Sequence, residues 1–225
     1  MPTNKDLLLE KITPVLQEAF RDYHFVLHKK VFFERIDKHG NINQYEILCP
    51  HRNGYFHFHL RLNLLNKQLE KQVNQVWKKV FRDPRLNSYE GWEPKKIEGF
   101  TKHRLRDYRV YDVTDWRWAT RNGNESLEDF NKRFNIWFCV FNDIEEIDDW
   151  KGQLQESARM ADKWFSSIGS EEWIIANTEF SSMYLLKKLN RIQELENKYK
   201  EILKMARLRQ ETELFYEYLK NEVII

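Results

Sequence analysis

The spacing of hydrophobic positions changes twice along the chain, and each change marks a different kind of secondary structure. Over residues 8–20 apolar side chains recur every three to four positions, which predicts an amphipathic helix interrupted by Pro14. From Phe25 onward apolar and polar residues alternate, as they do in strands that bury one face. The last third of the chain returns to helical spacing, so the pattern predicts an α+β fold.

The alternating region predicts an antiparallel meander at about residues 24–66. Three strands are expected, at about 25–36, 42–49 and 55–63. In the last of these, the even-numbered residues from Phe56 to Leu62 are apolar and form the face that should enter the core. Because the links between strands are short, neighbouring strands should pair antiparallel, and Asn53-Gly54 is a hairpin signal.

Further elements complete the predicted sheet and its helical cover. A helix is expected at 67–82, irregular turns at 83–103, and strands near 104–113 and 134–141. The last segment is apolar on both faces, which suits a central buried strand, with a buried helical turn as the alternative. The C-terminal third should be helical and end in a long protruding helix at about 191–222. Its apolar stripe changes register near residues 207–210, which indicates a bend or a change of partner surface.

Composition narrows the class of protein and its compartment. The 225 residues are 41% hydrophobic and 15% aromatic, which is enough for a core without disulfides, and we expect one domain over 1–225. With 37 basic and 35 acidic residues, the net charge of +2 argues against a protein that coats nucleic acid but permits a local basic patch. The two distant cysteines fit a reducing compartment. Without a bilayer-spanning apolar run or a recognisable signal peptide, we expect a cytoplasmic protein with no membrane contact. We also expect no cofactor.

One face of the predicted strand 55–63 is the first candidate binding surface. It carries Tyr55, His57, His59 and Arg61, with Glu46 on the neighbouring strand. Histidines two residues apart on a strand are about 7 Å apart and can chelate a metal, with Glu46 or His51 as a third ligand. An aromatic ring beside histidines and an arginine also suits an anionic or planar ligand. The alternative is a polar, half-exposed sheet face that binds nothing.

A basic segment at 95–109 is the second candidate. Its cations are Lys95, Lys96, Lys102, Arg104, Arg106 and Arg109. They lie among Phe100, Tyr108 and Tyr111, so phosphates could pair with the cations while single-stranded bases stack on the rings. The alternative is a solvated strand edge, where basic residues discourage aggregation.

Weaker patterns have simpler structural explanations. Asp83 with Glu93-Pro94-Lys95 resembles the acidic and lysine residues that hold a metal in many nucleases, but Pro94 interrupts the strand that such a site needs. Cys49 and His51 could form a nucleophilic pair, although the apolar strand face favours a buried thiol. Cys139 lies in an apolar run and should be a core residue. The sequence has no glycine-rich phosphate loop, no paired-cysteine or histidine zinc motif and no nucleophile elbow.

Several short motifs lie between residues 12 and 165. They are Ile12-Thr13-Pro14-Val15-Leu16, Phe25, Phe33-Glu34-Arg35, Phe58–Leu64 and, later, Trp164-Phe165. In these motifs about half of the chain resembles an uncharacterised, mainly bacterial family of unknown function, whose members begin with a proline-containing helix and continue into a meander. His24 stands where that family has a glycine. The resemblance implies the fold and carries no catalytic residue onto this sequence.

The absence of a convergent catalytic set favours a non-enzymatic binding protein. We expect it to present a sheet face or the C-terminal helix to a macromolecular partner, and to form a homo-oligomer through that helix and its apolar end, Val223-Ile224-Ile225. One alternative is a nucleic-acid-binding or nucleic-acid-processing protein that uses the 95–109 segment. The other is a metal-dependent enzyme centred on His57 and His59.

Overall fold

The computed structural model describes residues 4–49, 51–52, 55–87, 89–141, 143–205 and 209–222, with the backbone alone for residues 4, 51–52, 55–57 and 139–141. The chain forms two compact units, Met1–Leu65 with Tyr111–Ile168 and Asn66–Val110 with Gly169–Ile225. The expectation of one domain over 1–225 stays a prediction. Each unit combines two separate stretches of the chain, and the sequence shows no linker where the chain passes between them.

Seven strands and ten α-helices are present in the described part of the chain. The strands are β1 (Val26–His28), β2 (Phe32–Ile36), β3 (Ile42–Leu48), β4 (His51–Arg52), β5 (Tyr55–Leu65), β6 (Arg109–Val113) and β7 (Phe138–Phe141). The helices are α1 (Asn4–Phe20), α2 (Lys67–Val80), α3 (Pro94–Arg104), α4 (Trp116–Ala119), α5 (Leu127–Arg133), α6 (Trp150–Ser166), α7 (Glu171–Asn177), α8 (Phe180–Lys188), α9 (Ile192–Leu203) and α10 (Arg209–Lys220). None of these helices is long and apolar enough to cross a membrane.

The strands form one sheet around the long strand β5. They follow the order β1-β2-β3-β5-β4, and β6 and β7 also pair with β5. The pairings of β1 with β2, β2 with β3, and β5 with β3, β4 and β7 are antiparallel. Phe58, Leu60 and Leu62 are fully buried, as the alternation predicts. The α+β class, the antiparallel sheet and the helical C-terminal part are therefore confirmed.

The strand predicted at about 25–36 is a hairpin made of β1 and β2. Lys29 and Lys30 adopt left-handed backbone conformations at the turn, with φ of 49° and 62°. Such residues close tight hairpins but are usually asparagine or glycine, so two lysines carry no turn signal. The hairpin signal at Asn53-Gly54 lies outside the described residues.

Two predicted strands are shorter than expected because a helix or a turn takes their first residues. The strand predicted near 104–113 begins at Arg109, and α3 occupies residues that were predicted to be irregular or extended. Pro94 is the first residue of α3, where its missing N–H is not needed. The strand predicted near 134–141 begins at Phe138, because the apolar residues just before it are buried in a turn.

Tyr45 lies at the centre of the core of the first unit. Its ring packs edge-on against Phe20 at 4.9 Å and against Trp116 at 5.9 Å between ring centroids. The Tyr45 hydroxyl is 2.8 Å from the Ser157 hydroxyl, and Trp116 Nε1 donates to the backbone oxygen of Leu60 at 2.8 Å. These bonds satisfy polar atoms that would otherwise be costly to bury.

Aromatic rings from three helices form the core of the second unit. Trp77 of α2 contacts Phe180 of α8 at 4.6 Å and Phe215 of α10 at 5.3 Å between ring centroids. Phe180 and Phe215 are themselves 4.9 Å apart. These contacts hold α2, α8 and α10 together around one apolar centre.

The C-terminal segment forms two helices where the sequence predicts one long helix over 191–222. α9 ends at Leu203, α10 begins at Arg209, and the rings of Tyr199 and Tyr216 stack with centroids 3.9 Å apart. Those two residues would be about 25 Å apart along one straight helix, so α10 folds back against α9. The predicted change of register coincides with this break. The apolar end at 223–225 lies outside the described residues.

Candidate functional site

The polar face of β3 and β5 is filled by a chain of hydrogen bonds between side chains. Arg61 donates from Nε and Nη2 to Oε2 of Glu46 at 2.9 and 2.6 Å. Asn63 Nδ2 donates to the same Glu46 oxygen at 2.8 Å and to Gln44 Oε1 at 2.7 Å. Gln44 Nε2 in turn donates to Glu34 Oε1 at 2.6 Å. The register of the sheet explains the contacts, since Glu46 faces Arg61 and Gln44 faces Asn63 across the β3–β5 pair.

This network leaves little of the predicted sheet-face site open to a ligand. Glu46 is buried and Arg61 is half-buried, and each is the other's ion-pair partner. The side chains of Tyr55 and His57 lie outside the described residues. His59 is half-buried and lines a cleft.

The cleft beside His59 has an aromatic wall and an arginine that is already neutralised. It measures about 470 Å³. Arg117 lies over the Trp137 ring at 5.3 Å and pairs with Asp115 at 2.5 Å. The His59 ring meets Phe138 edge-on at 4.4 Å between centroids. Within the described side chains, no three histidine, cysteine, aspartate or glutamate residues converge on a metal position. The metal hypothesis also involves His57 and His51, whose side chains are not described, so it stays a prediction.

The Glu46–Arg61 pair supports a stability prediction. Replacing Arg61 alone by leucine should lower the free energy of unfolding by about 2 kcal/mol, because a buried carboxylate loses its cation. Replacing Glu46 and Arg61 together by leucine should recover most of that loss, since the two charges leave the sheet face together. Chemical denaturation of both single variants and of the double variant measures the coupling. Losses that simply add in the double variant would contradict this account of the pair.

The cations of the second predicted site from Lys95 to Arg104 lie on α3, most of whose residues are exposed. No residue of α3 is buried, and Lys95 and Lys96 are exposed to solvent. Gly99 and Lys102 follow Lys95 at four and seven residues, so the three share one side of the helix. The sequence places these cations in a loop and along a strand edge. The structure instead gives them the fixed spacing of a helix.

A basic cleft of about 400 Å³ lies along this side of α3. Its lining residues are Gly99, Lys102, His103, Arg106, Asp107 and Arg109. Arg109 pairs with Asp107 at 2.6 Å. Burial by itself would raise the pKa of Asp107, but the hydrogen bonds and charge of Arg109 outweigh it and hold that pKa below its usual value. By contrast, no carboxylate oxygen in the described part of the chain lies within 4.0 Å of the Lys102 or Arg106 nitrogens. Among the described residues, Lys102 and Arg106 are therefore cations of the cleft without a carboxylate partner.

Arg104 does not belong to the cleft, although the sequence groups it with the other cations. Its guanidinium lies over the Trp77 ring at 5.1 Å and donates to Asn74 Oδ1 at 3.2 Å. Burial lowers the pKa of Arg104, against the opposing charges of Glu70 and Asp107. Asn74 also donates to the backbone oxygen of Asp107 at 3.0 Å, so α2 fixes the loop that carries one wall of the cleft.

A buried carboxylate lies on α2 one turn before Asn74. Glu70 is almost completely buried and accepts a hydrogen bond from the Ser181 hydroxyl. Burial raises the pKa of Glu70 to about 7, against the opposing effects of the Ser181 bond and the Arg104 charge. Its protonation therefore changes near neutral pH, in the same cluster of residues that supports the cleft.

Exposed aromatic rings lie at the N-terminal end of α3. The centroids of Trp92 and Phe100 are each 5.3 Å from that of Tyr89 and 6.2 Å from each other. Trp92 is 38% exposed and Phe100 is 42% exposed. Lys96 Nζ lies 4.1 Å from the centre of the Trp92 ring, so a cation accompanies the aromatic surface.

The sequence identifies only part of this aromatic cluster. It selects Phe100, but also Tyr108, which is half-buried, and Tyr111, which packs against Trp164 at 6.4 Å in the first unit. Trp92 and Tyr89 were missed because their segment has no predicted element. Pro94 two residues after Trp92 is the signal of a helix start that could have placed them beside the cations.

The weaker candidates from the sequence are occupied by structural contacts. Burial raises the pKa of the Cys49 thiol to about 11, so it is a poor source of thiolate. The Cys139 side chain lies outside the described residues. Asp83 accepts hydrogen bonds from Arg85 at 2.7 Å and from the Tyr218 hydroxyl at 2.8 Å, and the Arg85 bonds hold its pKa well below the usual range.

Comparison of the chain with models of protein families, with curated proteins and with solved structures gives no match. The resemblance of about half of the chain to an uncharacterised, mainly bacterial family therefore stays a prediction. Function has to be argued from the geometry of the chain itself.

Proposed function

We propose that this protein is a non-enzymatic binding module and that its partner is a single-stranded nucleic acid held in the α3 cleft. The observation that carries the proposal is the pairing of two uncompensated cations, Lys102 and Arg106, with the exposed rings of Trp92 and Phe100 on and beside one helix. The cations supply contacts to phosphates, and the rings supply stacking surfaces for bases.

Two other arginines of the protein each pair with a carboxylate. Arg35 pairs with Asp162 at 2.5 Å, and Arg133 pairs with Glu125 at 2.6 Å. Arg106 differs, because it lines a concave surface without a carboxylate partner among the described residues. Phosphate groups satisfy such cations in charge and in hydrogen bonding.

The exposed aromatic rings favour a single strand over a duplex as the partner. Bases in a duplex are stacked on each other, whereas a single strand can place its bases on protein rings. Trp92 and Phe100 present ring surface to solvent. Lys96, beside Trp92, adds a cation that could meet the phosphate backbone of the bound strand. These features would tolerate many sequences, since every base has a stacking face.

The leading expectation from the sequence, a macromolecular partner on the sheet face or on the C-terminal helix, has less support. The charged groups of the sheet face bind each other, and α9 and α10 stack Tyr199 on Tyr216. The proposed partner is still a macromolecule, but it binds at the basic 95–109 segment.

Removing the rings should weaken binding without removing it. The alanine variants of Trp92 and Phe100 should each bind a labelled single-stranded oligonucleotide about tenfold more weakly, since stacking contributes about 1–3 kcal/mol per base. Fluorescence anisotropy at low salt measures the affinity. Trp118, which is 69% exposed and lies in the other unit, provides a matched control, and Trp118→Ala should leave binding unchanged. The absence of binding to any single strand at low salt would refute the proposal.

A further inference from the structure

A groove of about 810 Å³ lies in the first unit, between the β2–β3 hairpin and the C-terminal end of α6. Its lining includes Asn43, Phe165 and Ile168, which are buried, and a more exposed group of basic residues. Those basic residues are His24, His28, Lys38 and His39. The volume is within the range of small-molecule sites, and the arrangement gives the groove an apolar inner part and a rim that contains basic side chains.

Asn43 is the unusual member of this lining. It occupies the core face of β3, where Tyr45 and Ile47 are the next two residues on the same side, and it is fully buried. Neither its Oδ1 nor its Nδ2 has a hydrogen-bond partner in the described part of the chain. An amide buried without partners costs free energy, so an asparagine at this position needs a reason other than packing.

The nearest polar side chain across the hairpin is engaged elsewhere. Arg35 pairs with Asn43 in the β2–β3 register. Its Nη1 donates to the backbone oxygen of Tyr23 at 3.1 Å and to Asp162 at 2.5 Å, and its guanidinium lies 4.6 Å from the centre of the Phe25 ring. The carboxamide of Asn43 therefore keeps one donor and one acceptor side by side for another molecule.

The carboxylates of the groove accept hydrogen bonds from other groups of the same hairpin. Asp37 accepts hydrogen bonds from the backbone nitrogens of His39 and Asn41 at 2.8 and 2.9 Å, and also from the Asn41 side chain. Glu34 accepts the bond from Gln44 at 2.6 Å. Asp37 and Glu34 keep their negative charge, so the groups of the rim that could meet an anion are the Lys38 ammonium and the N–H groups of the exposed histidines.

We propose that this groove binds a mononucleotide, with the base edge on Asn43 and the phosphate at the rim. Each nucleobase carries a donor and an acceptor next to each other on its pairing edge, which is the complement of a carboxamide. Phe165 supplies an aromatic wall, Lys38 supplies a charge for the phosphate, and His39 supplies a ring N–H that can donate to it. Because Asn43 has no exposed surface, the side chains around it must move apart when the base enters.

Titration of the full chain with the four nucleoside monophosphates, their nucleosides and inorganic phosphate tests this proposal. At least one monophosphate should raise the unfolding temperature, in proportion to the logarithm of its concentration, and its nucleoside should bind at least about tenfold more weakly. Asn43→Leu should weaken the monophosphate at least about tenfold, as expected for losing two hydrogen bonds to the base. The exposed pair Lys38→Gln and His39→Gln should weaken the monophosphate and leave the nucleoside unchanged.

Several outcomes would overturn the proposal. They are no shift with any monophosphate at millimolar concentration, unchanged binding by Asn43→Leu, or a shift that inorganic phosphate reproduces in full. If Asn43→Leu does not fold, the rim variant decides by the same comparison of monophosphate with nucleoside. Lys102→Glu with Arg106→Glu should leave mononucleotide binding intact, so this site and the α3 cleft succeed or fail separately.

Discussion

Replacing Lys102 and Arg106 together by glutamate is expected to weaken the binding of a single-stranded oligonucleotide by at least about a hundredfold at low salt. Both side chains line the α3 cleft, and neither has a carboxylate partner among the described residues. The substitution removes two cations that would meet phosphates and adds two anions that would repel them. Anisotropy titrations of wild type and variant under identical salt conditions measure the effect.

A matched control separates the cleft from net charge. Lys163 and Lys200 are exposed residues of α6 and α9, and their double glutamate variant changes the net charge by the same amount. That control should lose only a small part of the affinity, because neither lysine lines the α3 cleft and salt screens exposed charges. If both double variants weaken binding equally, the attraction is a property of overall charge, and the α3 cleft is not the site.

Glu70→Gln is expected to remove most of the pH dependence of stability between pH 4.5 and 7. Burial raises the pKa of Glu70 from its ordinary value of 4.5 to about 7, although Ser181 and Arg104 act against it. That difference corresponds to about 3 kcal/mol of unfolding free energy. The folded protein keeps this proton up to about pH 7, whereas the unfolded chain releases it near pH 4.5. The contribution is therefore fully present below pH 4.5 and is lost as the pH rises through 7.

Urea unfolding at a series of pH values measures this contribution. Wild type should lose stability as the pH rises from 4.5 to 7, and Glu70→Gln should show a flatter profile over the same window. Glu10→Gln is a suitable control, since Glu10 is exposed on α1 and should leave the wild-type profile unchanged. Identical profiles for wild type and Glu70→Gln would mean that Glu70 ionises in the folded protein much as it does in the unfolded chain.

The hydrophobic pattern predicted the parts of the fold in which burial follows a regular period. β5 buries Phe58, Leu60 and Leu62 on one side, and the alternation of the sequence shows this directly. α3 could not be found in the same way, because none of its residues is buried and it has no apolar stripe. Its start is marked only by Pro94, which the sequence reasoning treated as a break.

Polar residues inside the protein show a second limit of pattern reasoning. Asn43, Glu46 and Asn63 are buried, although strand alternation treats polar residues as solvent-facing. Glu46 and Asn63 are buried because cross-strand partners form hydrogen bonds with them, and those partners are known only once the register is known. The sheet-face site predicted from the sequence therefore includes Glu46 and Arg61, which in the structure form hydrogen bonds within the protein.

The basic segment was recognised from composition, whereas its working members depend on tertiary contacts. Lys102 and Arg106 line the cleft, but Arg104 points into the cluster of Asn74 and Trp77. The position of a cation in the sequence does not show which side of a helix it occupies, because the helix itself has to be known first. The partners on α2 that remove Arg104 from the surface are thirty residues away in sequence.

The most direct measurement is the salt dependence of single-strand binding by wild type and by the Lys102→Glu, Arg106→Glu variant. The logarithm of the binding constant should fall linearly with the logarithm of salt concentration, by about 0.7 for each phosphate contact to a single strand. Two lost contacts should make the slope of the variant about 1.4 less steep. A wild-type protein that binds no single strand at low salt, or a variant with an unchanged slope, would contradict the assignment of the α3 cleft as the nucleic-acid site.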